Sequence, residues 1–194
     1  MSRFVSFLCA VTLLAFSAVA QDQSWKIDPN HTAAQFSVHH MGISTVRGAF
    51  TKVSGSAIYD PANPAKTSIE ATIEAASIDT RVDMRDNDLR SDHYFDVAKY
   101  PTITFKSTSV KPAAEGKLTI VGDLTIHGVT KTVTLDVDGP SKSVNDPHGN
   151  LHVGASATTT IKRTDFGVGS ANPMVGDEIP ITIDVELVRP ASGK

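Results

Sequence analysis

The side chains in this chain best suited to moving protons or holding a metal are its seven histidines, and the adjacent pair His39-His40 is the first to weigh. Neighbouring residues on an extended strand point to opposite faces, so this pair cannot readily chelate one ion, and no H-x-H or H-E-x-x-H spacing occurs. The histidines are therefore expected in structural or surface roles, with no metal and no cofactor. The acidic run from Asp83 to Asp96 has carboxylates enough for calcium but lacks the glycine and terminal glutamate of a calcium loop. Asp165-Phe166-Gly167 spells the magnesium motif of kinases, without the Gly-rich loop, strand lysine or catalytic loop that give it meaning. The only cysteine is Cys9, and there is no G-x-S-x-G elbow, so nucleophilic catalysis has no support and no catalytic residue is assigned. An enzymatic reading would have to use His31, His40 or His127 as acid or base. Arg47, Arg85, Arg90 and Arg163 are expected either to pair with neighbouring aspartates or to orient a polar head group.

The elements that must position these groups are strands. From Gly116 to Asp138, Leu118, Ile120, Leu124 and Ile126 alternate with Lys117, Thr119, Asp123 and Thr125. After a His127-Gly128 turn, Val129, Val133, Leu135 and Val137 continue the apolar row. That period of two makes an antiparallel hairpin with one dry face. It recurs in residues 33–40, 44–50, 53–60, 67–76, 102–110, 151–162 and 179–189, a total of about eight to ten strands by pattern. Turns are written in Asp60-Pro61-Ala62-Asn63-Pro64, Asp138-Gly139-Pro140 and Asn145-Asp146-Pro147-His148-Gly149. Residues 81–99 break the alternation, with charges crowded around Leu89. They predict a short helix or structured loop, either solvated and held by internal ion pairs or folded as a lid.

Residues 1–20 read as a secretory leader: Arg3, an apolar run from Phe4 to Phe16, and an Ala18-Val19-Ala20 cleavage site. The mature domain would span 21–194, in a bacterial periplasm, with no thiol. Losing Arg3 takes the formal net charge from −3 to −4, and this weakly acidic, mixed-sign surface offers no footprint for nucleic acid. No later run reaches the length of a membrane span.

Long strands with one apolar face and almost no helix must pack two sheets together or close one into a barrel, so the fold class is all-β. A barrel of about eight strands is just wide enough for side chains or one slender ligand. The apolar rows contain Ala71, Ala75, Gly122, Ala155 and Ala157, and small inward residues point to space held for something apolar.

Four segments make the reading specific. They are Leu89 to Ser107 (LRSDHYFDVAKYPTITFKS), His31 to His40 with Val46-Arg47-Gly48-Ala49-Phe50, Gly122 to Thr130 (GDLTIHGVT), and Arg163 to Gly167 (RTDFG). Together they closely resemble the signature of the YceI-like, polyisoprenoid-binding family. The resemblance runs from about Trp25 to Arg189 in family order, with Tyr94 standing where many members carry a second Phe. It implies an extended lipocalin-like antiparallel barrel, exported, holding a long isoprenoid or related amphiphile in a central tunnel, and it admits a homodimer. The inward rows would then form the ligand-binding wall, at Phe36, Val38, Phe50, Ala71, Ile73, Phe105, Leu124, Ile126, Leu135, Ala157, Ile181 and Val185. The leading reading is a carrier of a polyisoprenoid, isoprenoid quinone or fatty amide. Its rivals are an enzyme acting on such a lipid and a filled barrel working through surface contacts.

Overall fold

The His127-Gly128 turn shows how local sequence sets the sheet. Both residues have positive φ, 51° and 75°, the geometry that lets a two-residue loop match the twist of the strands it joins. In the computed structural model, which describes residues 24–60, 62–114 and 116–190, this turn joins two strands paired from Ile126↔Val129 to Lys117↔Asp138. The leader expected over residues 1–20 lies outside the described residues. The strands are β1 (Ser24–Ile27), β2 (Ala33–His40), β3 (Ser44–Phe50), β4 (Val53–Ile58), β5 (Ser68–Glu74), β6 (Ile78–Asp79), β7 (Thr102–Pro112), β8 (Lys117–Ile126), β9 (Val129–Asp138), β10 (Val144–Asn145), β11 (Leu151–Lys162) and β12 (Glu178–Arg189). Among the described residues one α-helix, α1 (Asp83–Arg90), lies between β6 and β7.

Hydrogen bonding runs β11-β9-β8-β7-β5-β4-β1-β12 and returns from β12 to β11, so the sheet closes into an antiparallel barrel of eight strands. Closure removes the free edges that so much alternating sequence would otherwise expose. The seam is the longest ladder, β11 on β12, in continuous register from Leu151↔Arg189 to Lys162↔Glu178. The other edge of β12 is shared. Its C-terminal part pairs with β1 through Lys26↔Val188 and Ile27↔Leu187, and its N-terminal part with β2 from Ile181↔Phe36 to Asp184↔Ala33. The chain therefore bends at residues 28–32, and the β2–β3 hairpin prolongs the wall beyond the end of β1 and β4.

The ends are built differently. At one, Trp25, Ala57, Tyr59 and Val153 form a buried cluster, with Trp25 Nε1 donating to the Tyr59 carbonyl at 3.1 Å and Arg189 over the indole at 4.8 Å. Sequence patterning missed β1 because four residues carry too little alternation to register. At the other end, α1 and the turns after it meet the segment that follows β11.

The expected element in residues 81–99 is thus a helix of eight residues followed by turns. One internal ion pair, His93 with Asp88 at 3.1 Å, is present, and stronger bonds reach outside the helix. Asp86 is 4% exposed and accepts from both the Thr80 backbone N–H, at 2.9 Å, and the Thr80 hydroxyl. Arg85 donates to the Thr80 hydroxyl and carbonyl, and Arg90 to the carbonyls of Ala76 and Ile78. Arginine forks reaching backbone carbonyls fasten the helix to β6, which surface ion pairs within the helix could not do.

Candidate functional site

Inward-pointing side chains of the barrel enclose one long apolar cavity. It has a volume of about 270 Å³ and runs from Tyr59, Thr67 and Pro140 at the Trp25 end to Leu89, Tyr94, Phe95 and Phe166 at the other. Strands of about ten residues at ~3.4 Å each, tilted ~40°, give a barrel roughly 25 Å tall. Spread over that height, the space is about one hydrocarbon chain wide.

All twelve wall positions named from the sequence lie on this cavity: Phe36 and Val38 on β2, Phe50 on β3, Ala71 and Ile73 on β5, Phe105 on β7, Leu124 and Ile126 on β8, Leu135 on β9, Ala157 on β11, and Ile181 and Val185 on β12. The expectation that Gly122 leaves open space is corrected. Phe105 packs its ring over Gly122, where a β-carbon would collide with it, and the same relation holds between Phe36 and Gly48. Glycine here lets an aromatic ring lie flat on the wall.

Several lining residues were not foreseen as wall. Leu89, Tyr94 and Phe95 come from the segment after β6, so the lid alternative for this region has its side chains on the cavity. Their signal was present as apolar residues embedded in a polar run. Phe50 meets Phe36 at 5.8 Å and Phe95 edge-on at 5.7 Å between ring centroids, which ties the lid to the barrel wall. Phe166, 2% exposed, sits in the 3₁₀ turn Arg163–Phe166, which ends at Gly167 in the left-handed conformation. The turn expected from Arg163-Thr164-Asp165-Phe166-Gly167 is therefore present and serves as a plug.

Arg163 also borders the cavity. It is 6% exposed and donates to the carbonyls of Val168, Ser170, Val175 and Gly176, so its charge is spent on folding the 163–176 segment rather than on an aspartate partner. At the opposite end Thr67 lines the cavity, and its hydroxyl is buried without a hydrogen-bond partner. A buried unpaired hydroxyl is uncommon.

The histidines lie elsewhere. None of His31, His40 and His127 lines the cavity. His40 bridges Val175, and His127 packs on the Tyr100 ring at 4.4 Å. His31 belongs to a cluster on the outer surface. Its Nδ1 donates to Asp28 Oδ2 at 2.8 Å and lies 4.0 Å from Glu186 Oε1. Glu186 in turn accepts from His152 Nδ1 at 2.6 Å, and His152 Nε2 lies 3.3 Å from Asp146 Oδ2. The bond to Asp28 and then the field of Glu186 raise the His31 imidazole above its ordinary value, and the bond to Glu186 does most to raise His152. Burial opposes ionisation of Asp146, but bonds from Asn150, His152 and the His148 N–H outweigh it and bring the carboxyl to about 2.

The YceI-like domain profile matches residues 25–187. The chain belongs to the YceI-like family. Among relatives, a UPF0312 protein of Yersinia enterocolitica is 37% identical over 180 residues, covering 93% of each chain. Among solved structures, Burkholderia cenocepacia BcnA superposes with a TM-score of 0.73 at 28% identity, over 82% of this YceI-like chain and 98% of its own. A polyisoprenoid binding domain from Saccharophagus degradans, at 18% identity and a TM-score of 0.62 over 86% of this chain and 98% of that one, shares the fold.

Proposed function

We propose that this YceI-like protein binds and carries one long apolar chain, of the polyisoprenoid, isoprenoid-quinone or fatty-amide kind, inside its barrel. The observation that carries the reading is the continuous apolar cavity, one chain wide. Each methylene transferred from water is worth about 0.8 kcal/mol, so ten enclosed methylenes supply about 8 kcal/mol before ordering costs are subtracted. An apolar tunnel selects by length and girth rather than by polar contacts. The fold-mate named for polyisoprenoid binding supports the choice of ligand class. The histidines lying off the cavity wall favour storage or transport over turnover of the bound chain.

The route of entry follows from the rim. Met41, Ile43 and Met174 are exposed apolar residues beside cavity-lining Val38 and Val175, and the Met41 N–H donates to the Met174 carbonyl. Loading is assigned to this end, where the lid is held by side-chain bonds and not by a strand ladder. We further read the protein as a periplasmic carrier, exported through residues 1–20. N-terminal sequencing of the secreted form should begin near Gln21.

The deciding experiment is native mass spectrometry of protein purified from a bacterial host, followed by organic extraction. A stoichiometric long-chain species is expected. A protein that carries none and takes up neither added prenyl nor added acyl chains would turn the reading to a filled barrel acting through its surface.

A further inference from the structure

On β12, Val185 and Leu187 face the cavity, so Glu186 between them faces outward. Directly across the seam stands Gly154, which leaves the space beside the carboxylate open. The bend between β1 and β2 places Asp28 and His31 over this spot. Its position is fixed by the backbone, because the Asp28 N–H donates to the Glu186 carbonyl at 2.9 Å and the Glu186 N–H to the Thr32 hydroxyl at 3.2 Å. Asp28 Oδ1 is occupied by the Asn30 N–H, which aims Oδ2 at His31.

We infer that Asp28, His31 and Glu186 form a binding site for a divalent transition-metal ion such as Zn²⁺, a function separate from the cavity. One donor atom from each of the three side chains lies within 4.8 Å of the others, with His31 Nδ1 at 2.8 Å from Asp28 Oδ2 and 4.0 Å from Glu186 Oε1, and His31 Nδ1 gives up its proton when the ion binds. An ion bound at ~2.1 Å in tetrahedral geometry holds its donors roughly 3.4 Å apart, so rotamer adjustments of about 1 Å complete the triangle. One imidazole and two carboxylates suit a borderline ion, with water in the remaining position. The supporting contacts are those of a metal site. Asn30 orients Asp28, and His152, itself against Asp146, holds Glu186. Access is open, because His31 and Glu186 also border a surface groove shared with Asp138, Ser141, Ser156 and Asp184. The carboxylates of that groove favour a cation at its end.

The test is equilibrium dialysis of the full chain, produced without a polyhistidine tag, against Zn²⁺ alone. One ion per chain is expected, with affinity reduced at least about tenfold in both His31→Ala and Glu186→Gln. His93→Ala, which removes an exposed histidine paired with Asp88 far along the sequence, should bind like the parent. Circular dichroism checks that each variant is folded, and Glu186→Gln preserves side-chain shape should His31→Ala disturb the bend. No saturable binding by the parent, or equal binding by all four proteins, would overturn the assignment, and neither result bears on the cavity.

Discussion

Phe36 and Gly48 stand directly opposite each other on β2 and β3, and a β-carbon at position 48 would lie 2.5 Å from Phe36 Cζ. The missing side chain lets the ring fold flat across its partner strand. Gly48→Ala should push that ring toward the lumen or bend the hairpin, at a cost of about 1 to 3 kcal/mol for overpacking. Urea unfolding would read the cost, and uptake of a prenyl chain would read the narrowing. Unchanged stability and uptake would show that the ring has room to swing aside.

Ala157 tests the width of the lumen at its middle. It is 7% exposed, packs among Val110, Leu118, Ile120, Leu135 and Val137, and lines the cavity. Ala157→Trp should fill the lumen at that level. The expected outcome is a folded protein, destabilised by about 1 to 3 kcal/mol, whose lipid uptake falls well below one chain per protein. Normal uptake by folded Ala157→Trp would remove this residue from the binding wall.

One buried carboxylate helps to fasten the lid. Asp86 accepts two bonds from Thr80, and Arg85 grips the same threonine from the other side. Asp86→Ala leaves the Thr80 donors without that acceptor, with a loss of about 2 to 3 kcal/mol expected for bonds to a charged group. Hydrogen exchange should quicken in residues 83–97 before the β11–β12 ladder is affected, and ligand release should quicken with it. Exchange that rises equally throughout the barrel would mean that the helix is part of the global fold and not a lid.

The barrel was legible in the sequence because burial on one face of a closed sheet forces a period of two, and residues 33–40, 44–50 and 151–162 write it without interruption. Closure itself was not written there. It rests on the register of β11 with β12, which a local pattern cannot specify. Wall positions such as Ile181 and Val185 followed from alternation, but Gly48 and Gly122 were open to misreading, since a small residue looks alike whether the space above it is empty or filled by a neighbour's ring. The Arg163 network left no trace, because its partners are backbone carbonyls common to every residue type. The Asp28, His31 and Glu186 cluster joins groups about 155 residues apart in sequence, so only the β1–β12 pairing reveals it.

Acid should loosen the end of the barrel that Phe166 plugs. Asp177 accepts from the Thr164 hydroxyl at 2.7 Å and the Thr164 N–H at 3.1 Å, and these bonds hold its carboxyl below the ordinary value. A depressed native pKa means that the unfolded chain takes up the proton first as pH falls. The stabilisation is therefore complete above about pH 4 and is lost as pH drops through the native value. Asp177→Asn should flatten that part of the stability curve below pH 4 while lowering stability at pH 7, because the uncharged amide oxygen is a weaker acceptor for the two Thr164 donors. Urea midpoints taken at intervals from pH 7 to pH 2.5 would reveal the difference. Parallel curves for the parent and Asp177→Asn would show that Asp177 makes no contribution to the acid response and that other carboxylates carry it.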